Sequence, residues 1–582
     1  MKDIVTKGTL LALALTFSTL ACKDSFLVVQ PTGTLTSAQL STKNGLEGLL
    51  ISAYTELNGR GFSQTASSTN WMYGSIMGGE ANKGSNAGDF NAITPFQRFE
   101  MLAASGELNA RWQLMYEGVS RANSVLRQLK TADASVSAAD QARIGAEAKF
   151  LRAHYYFELK RTFNMVPYVD ESVDYAAGIT EIANNTDIWP KIEADFKAAY
   201  DVLPEVQTAA GRANKWAAAS YLAKTYLYQK KYAEAKTLFD LVIASGKTSS
   251  GNKYALFPQY WMVFSADNEK NNEIIFSTQN VANAGSSDAA SGDLNLNWPY
   301  NTGPAGPVGC CGFFQPSFEL ANSFRTDAKG LPLLDGSYNS AANALKTDQG
   351  LASSAPFTPD AGPVDPRLDH SVGRRGIAYL DWQVFPGQDW IRDQAFGGPY
   401  APKKYIYTKA QEARIADVSN WTKGWTGINV VLIRYADVLL MAAECEIEVG
   451  SLEKAREYVN MIRKRAADPS GFVMDIATPT KPAANYVIGT YDTPWTDKAA
   501  ARTAVQFERK LELSGEGHRF FDLVRWGTAA TVLNAYLTYE GAKLSNGLGG
   551  AKFTPNKNEY MPLPQTQIDL QGTATLKQNP GY

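Results

Sequence analysis

The stretch Glu508–Gly527, ERKLELSGEGHRFFDLVRWG, gathers acids, arginines, a histidine and a Phe-Phe pair within twenty residues. On a helix starting after Gly517, His518 and Asp522 are four residues apart, and Asp522 is three from both Arg519 and Arg525. Asp522 can therefore meet either arginine or the histidine. Phe520, Phe521 and Val524 supply an apolar side. Upstream, Glu508 and Glu512 are four apart and can pair with neighbours of Arg509 or with a facing helix. Gly515 and Gly517 let the chain turn tightly between the two segments. One reading is general acid–base chemistry by Glu512, Glu516 or His518. The other is an ion-pair network that fixes one helix hairpin. The second is favoured, because the charges lie in mutual reach and neither a nucleophile nor a metal cluster accompanies them.

Outward from this hairpin, helical periodicity dominates both ends of the chain. It predicts helices over Thr36–Leu57, Glu107–Leu129, Ala138–Phe163, Thr186–Val202, Arg212–Gln229 and Tyr232–Ala244. Near the C-terminus it predicts Val431–Glu448, Leu452–Arg465, Ala499–Ser514 and His518–Tyr536. Two pairs align with each other. Ala223, Tyr226, Ala235 and Phe239 are spaced as in a tetratricopeptide repeat, and Ala443, Glu446, Ala455 and Val459 fall at the same offsets, with Glu446 in place of an apolar residue. Small residues at these points let antiparallel helices approach closely. Residues 246–429 are instead rich in Gly, Pro, Asn and Ser, with short strand-like pieces such as NEIIFSTQ. Long loops of that kind inside a compact protein are usually functional. The expected fold is mostly α: a helix-pair scaffold, about 36–245 and 430–536, carrying an irregular lobe at 246–429 and a tail at 537–582. It forms one mature unit, 22–582, rather than domains in series.

The 582 residues are 45% apolar and 20% charged, which argues against wholesale disorder. Lys plus Arg (56) nearly balances Asp plus Glu (58), which argues against a nucleic-acid binder. At the N-terminus, Lys2 and Lys7 precede an apolar run, Leu10–Ala21, too short to span a bilayer. It ends in TLAC, the pattern of a lipoprotein cleavage site with Cys22 as the lipidated residue, although Thr19 stands where Leu is usual. An ordinary secretory signal with an incidental cysteine is the alternative. Cys310 and Cys311 are adjacent in a Gly-rich loop and form either a vicinal disulfide or two thiols, while Cys445 reads as a buried apolar residue. No Cys/His spacing suits zinc. The acids of SADNEKNNEIIF (Ser265–Phe276) lack the order of a calcium loop. ASGKTSSG (Ala244–Gly251) lacks the first glycine of a phosphate loop and reads as a helix end capped by Gly246. Neither a cofactor nor a metal is expected.

Many of the twelve tryptophans fall in polar, Gly/Pro-rich stretches. Sugar capture has a physical signature: flat rings stack on the apolar face of a pyranose while amides, carboxylates and guanidinium groups bond its hydroxyls. TNWMYGS places Asn70, Trp71 and Tyr73 together, and LNLNWPYN places Trp298, Tyr300 and Asn301 together. YLDWQVFPGQDWIRD carries Trp382, Trp390 and Arg392, and SNWTKGWTG carries Trp421 and Trp425. The candidate ligand contacts are Asn70, Trp71, Tyr73, Trp298, Tyr300, Asn301, Trp382 and Trp390. The competing reading is that each ring plugs its loop onto the core. If the rings are a platform, Trp298→Ala or Trp71→Ala abolishes binding without lowering the melting temperature.

ERKLELSGEGHRFFDLVRWG closely resembles the C-terminal signature of SusD/RagB-type outer-membrane lipoproteins. EAKFLRAHYYFELKRTFNMVPYV from Glu147, IRYADVLLMAAE from Ile433, Asp365–Arg367 (DPR), LVVQPTGTLT from Leu27 and the terminal YMPLPQTQIDLQ…LKQNPGY are also similar to the family. The resemblance covers nearly the whole mature chain, and the first two aromatic stretches lie where family members tend to place ligand contacts. It implies a non-enzymatic lipoprotein, anchored through Cys22 on the outer face of the outer membrane. Such a protein captures oligosaccharide, or peptide in the RagB branch, and passes it to a SusC-like TonB-dependent transporter. A glycosidase needs only two carboxylates at a suitable separation, but the acids here cluster on predicted helices rather than in the aromatic loops. A pure protein-binding scaffold would not need so many loop tryptophans. The near-neutral charge disfavours a densely sulfated or uronic polymer as ligand.

Overall fold

The computed structural model describes residues 36–59, 68–175, 178, 180–207, 209–286 and 289–582. Cys22 and the segment before it lie outside these residues. The principal helices are α1 (Lys43–Thr55), α2 (Gly106–Leu129), α3 (Ala138–Phe163), α4 (Trp189–Val202), α5 (Lys215–Tyr228) and α6 (Tyr232–Ser245). After the lobe come α7 (Tyr435–Val449), α8 (Leu452–Ala466), α9 (Lys498–Glu512), α10 (Arg519–Trp526) and α11 (Ala529–Lys543). The short strands used below are β1 (Ala81–Gly84), β2 (Ile274–Ser277), β3 (Phe313–Pro316) and β4 (Val431–Arg434).

Helices α1 to α6 pack in succession, each against the next, and α6 then packs against α7. The two ends of the sequence thus form one continuous stack, with α8 and α9 beyond α7. The small residues at the repeat positions explain the close approach: Ala223, Ala235, Ala443 and Ala455 are completely buried. Glu446, the departure from the repeat pattern, is buried as well, and Lys236 of α6 ion-pairs with it at 2.8 Å. The polar substitution therefore ties the two halves of the stack together.

Three predicted helices are corrected. Val431–Arg434 is strand: its β-branched, alternating run pairs antiparallel with β2, and α7 starts only at Tyr435. His518–Tyr536 is two helices, because Gly527 adopts the left-handed conformation (φ 75°) and closes α10, its N–H donating to the Val524 carbonyl at 3.0 Å. Thr36–Leu57 also divides, since the Thr42 side chain caps α1 by accepting from the Gly45 N–H. Gly246 does end α6, but in extended conformation (φ −61°). Its lack of a side chain matters because a Cβ there would lie 2.6 Å from the Tyr254 ring.

The main apolar core draws on α1 to α11. A second cluster lies inside the lobe around Trp298, Tyr379, Trp382, Trp390 and Tyr407. A third joins the lobe to the scaffold through Phe318, Phe324, Tyr400 and Leu511 of α9.

Candidate functional site

The signature stretch is a seam of buried charge. Arg434, at the end of β4, donates from Nη1 to Glu273 and Glu512, both at 2.6 Å, and from Nε and Nη2 to Glu516, both at 2.8 Å. Arg367 ion-pairs with Asp365, Glu508 and Glu512, while Arg463 reaches Glu508 and Lys404 reaches Glu516. Arg465 bridges Glu273 and Glu512. Five carboxylates thus face five cations, drawn from α8, α9, the turn after it, β4 and the lobe. Glu508 and Glu512 engage arginines of other elements, so the network extends well beyond one hairpin. Asp522 pairs with Arg525 and Arg509, and Arg509 also meets Asp437.

This geometry leaves little for acid–base chemistry. Burial pushes the Glu512 carboxyl up, but the guanidinium groups of Arg465, Arg434 and Arg367 outweigh it and hold the group well below the ordinary carboxylate range. Burial likewise opposes, and Arg434 and Lys404 overcome, to hold Glu516 low. His518 is pushed down to about 4 by burial, reinforced by Lys224. Near neutral pH Glu512 and Glu516 are ionised and engaged and the His518 imidazole is neutral. Among the described residues no group of three or more His, Cys, Asp or Glu could hold a metal ion. Asp267, in the acidic loop, instead pairs with Arg414 and accepts from Gln411.

The structure places six of the eight candidate ligand contacts inside the protein. Trp71 and Tyr73 sit in a π-helical turn, Trp71–Ile76, buried in the main core. Trp71 meets Phe314 edge-on at 6.0 Å, and Tyr73 donates its hydroxyl to the Glu107 carbonyl at 3.0 Å. Asn70 is buried between Arg111, which donates to its Oδ1 at 2.6 Å, and Glu158. Trp298 is 1% exposed and packs on Tyr407, with ring centroids 4.7 Å apart. Trp382 donates its indole N–H to the Tyr407 carbonyl at 3.1 Å, and Trp390 is buried against Tyr379 and Phe385. These six are corrected from surface platform to core.

The reason is local. A Cβ at Gly309 would lie 2.0 Å from Trp298 Cγ, and one at Gly424 would lie 2.9 Å from its Nε1. Bare backbone covers the indole on both approaches. Gly306 does the same for Trp390, where a Cβ would lie 2.4 Å from Cζ2. Glycine beside tryptophan in these loops marks a ring being covered.

Tyr300 and Asn301 are different: Tyr300 is half-buried and Asn301 exposed. They sit where three loops meet. The Tyr300 N–H donates to the Trp390 carbonyl at 2.8 Å, which docks the loop on the lobe core. The Arg392 guanidinium lies 5.1 Å from the Tyr300 ring centroid, and the same group ion-pairs with Asp89 and donates to Ser85 Oγ at 2.9 Å. Cys310 and Cys311, bonded to each other, flank the patch at half exposure, and Cys311 and Gly312 donate backbone N–H groups to Leu296 and Trp298. The result is an accessible ring, a guanidinium, a carboxylate and an amide on a stiff base. That is the donor and acceptor set that sugar hydroxyls and one pyranose face require. Sequence spacing could not find Asp89, since it is 303 residues from its partner Arg392. Trp421, at 65% exposure, is the tryptophan whose indole stands in solvent, on the loop with Trp425.

A helical-repeat stack interrupted by one large loop-bearing lobe defines the class of protein. The chain belongs to the SusD family: the model described as "SusD family" matches residues 272–582, and that described as "Starch-binding associating with outer membrane" matches residues 25–227. It is 27% identical over 466 residues to SusD-like protein P25 of Formosa agariphila, covering 76% of each chain. Its fold is similar to surface glycan-binding protein A from Bacteroides fluxus, with a TM-score of 0.65 and 24% identity over 93% of this chain and 100% of that one. It is similar also to surface glycan-binding protein A from Bacteroides thetaiotaomicron in complex with laminarihexaose, with a TM-score of 0.62 and 21% identity over 92% and 99% of the two chains. Among the described residues no helix is long and apolar enough to cross a membrane.

Proposed function

We propose that this chain is a lipid-anchored protein of the outer membrane that captures oligosaccharide and delivers it, without cleaving it, to a SusC-like TonB-dependent transporter. Cys22 is the proposed anchor, and residues 22–582 act as one mature unit. Capture takes place at Tyr300 and Asn301, with Arg392 and Asp89 bonding hydroxyls around the ring. The observation that carries this reading is the half-exposed Tyr300 ring braced by the Arg392 guanidinium at the meeting of three loops. Family membership and the glycan-binding names of its structural neighbours support the ligand class.

Calorimetry with laminarihexaose, maltoheptaose and xylohexaose tests it, with a hexapeptide pool as the contrasting arm. One of the oligosaccharides is expected to bind, and Tyr300→Ala to weaken it at least tenfold, with the urea midpoint unchanged. Wild-type affinity in Tyr300→Ala, or binding of peptide alone, overturns the reading.

A further inference from the structure

A cleft of about 550 Å³ opens between α9, α10, α11 and the loop around Tyr338, sharing no residue with the Tyr300 patch. Its lining includes Trp526, Phe507, Gln506, Thr503 and Asn339, and Arg519 projects into it from the start of α10. The cations around Arg519 are neutralised. Arg509 and Arg525 meet Asp437, Asp522 and Glu444, and Lys510 meets Glu319 at 2.6 Å. The Asp335 carboxylate at the rim is taken up by the Ser337 N–H and hydroxyl. Among the described residues Arg519 makes neither a hydrogen bond nor an ion pair; its guanidinium lies 5.8 Å from the Trp526 ring centroid, with Glu319 and Glu80 in electrostatic reach but not in contact.

A half-exposed guanidinium with a free fork, held beside an indole in a cleft of this size, is organised for one planar anion. One guanidinium without an ion-pair partner, in a lining that also carries the Asp335 carboxylate, suits a single carboxylate and not a polyanion. Around it, the amide of Gln506 and the hydroxyl of Thr503 can bond sugar hydroxyls. The Asn339 Oδ1 accepts from Asn322, which leaves the Asn339 amide N–H groups for a ligand. We propose that this cleft is a second binding site, specific for a sugar acid, with one uronate carboxylate on Arg519 and the sugar ring on the Trp526 side.

The test is a titration of the mature protein, carrying 5-fluorotryptophan, with sodium glucuronate and sodium galacturonate, read at the Trp526 fluorine resonance (assigned with Trp526→Phe). A saturable shift is expected with one of the two, weakened by added salt. It should be absent with glucose and with galactose, and at least tenfold weaker in Arg519→Gln. Thr503→Trp, which fills the cleft mouth from an exposed position, should abolish the shift and covers the case in which Arg519→Gln fails to fold. Tyr300→Ala should leave it unchanged, so this site can fail without the capture reading failing. The proposal is overturned if neither uronate shifts the resonance, if Arg519→Gln binds as wild type, or if acetate binds as tightly as the uronates.

Discussion

At the seam between α9 and the lobe, Arg434 gives its N–H groups to Glu273, Glu512 and Glu516, and nothing in that cluster faces water. At the meeting of the lobe loops, Arg392 is exposed, lies beside a half-open tyrosine ring and shares one carboxylate with a serine. The residue types are the same. What differs is how completely each group is satisfied by the protein itself. Buried charges saturated by one another specify an arrangement of elements. Polar groups left partly open, on a base too rigid to collapse onto them, can serve a ligand. The same contrast holds among the tryptophans: Trp298 lies under the backbone of two glycines, and Trp421 stands in water.

The contrast can be broken most directly at the seam. Glu512→Ala removes the carboxylate shared by Arg367, Arg434 and Arg465 and leaves each of three buried cations one partner short. A loss of about 3–5 kcal/mol in urea unfolding is expected. An unchanged midpoint would show that the seam does not hold the lobe to the stack. Trp298→Ala, expected from sequence alone to cost binding without stability, is now expected to cost about 3–5 kcal/mol through the cavity left in the lobe core. A wild-type melting curve with lost binding would restore the platform reading for that residue.

A third experiment concerns pH. His154, His370 and His518 are pushed down to about 4 by burial, so each stabilises the fold above its unfolded value near 6.5 and loses that contribution as pH falls toward 4. Glu80, Glu269 and Glu540 are pushed up to about 7, also by burial. Their contribution is present below about 4.5 and is lost as pH rises to 7. The two sets oppose each other between about 4.5 and 6.5, so stability should be nearly flat there. Below that window Glu158 and Asp522 matter: burial raises both, but Arg161 and Arg111, and Arg509 and Arg525, hold them down at about 2. Their stabilisation is lost as pH falls from about 4.5 to about 2, so the midpoint should drop on the acid side. Denaturant midpoints across this range check the profile, and a sharp maximum near pH 5.5 would contradict it. The smallest expected effect is that of Trp421→Ala, within about 0.5 kcal/mol of wild type in stability. If that variant instead loses oligosaccharide affinity in the same calorimetry, the capture surface extends into its loop.

Much of the scaffold was legible in the sequence because a 3.6-residue apolar period survives wherever one helix face is buried, as in α2, α3 and α8. The break at Gly527 and the switch from β4 to α7 were harder. A single glycine and four β-branched or long residues sit inside runs that look helical from both sides. The ion-pair character of the signature was legible from spacing, but its partners were not. Arg367 and Arg434 approach Glu512 only after 145 and 78 residues of intervening chain have folded. The proposed ligand surface was the least legible. Composition showed which loops carry rings but not whether a loop lies over its ring or under it. The glycines that marked these stretches as loops are the residues that let the backbone close over Trp298 and Trp390.

The contact between α6 and α7 joins two helices separated by the whole lobe. A nascent chain completes α6 long before α7 exists, and the side of α6 that receives α7 has no cover during that interval. Any fragment that stops before Tyr435 keeps that side bare. A fragment cut at the edge of the lobe is therefore expected to aggregate rather than to behave as a module.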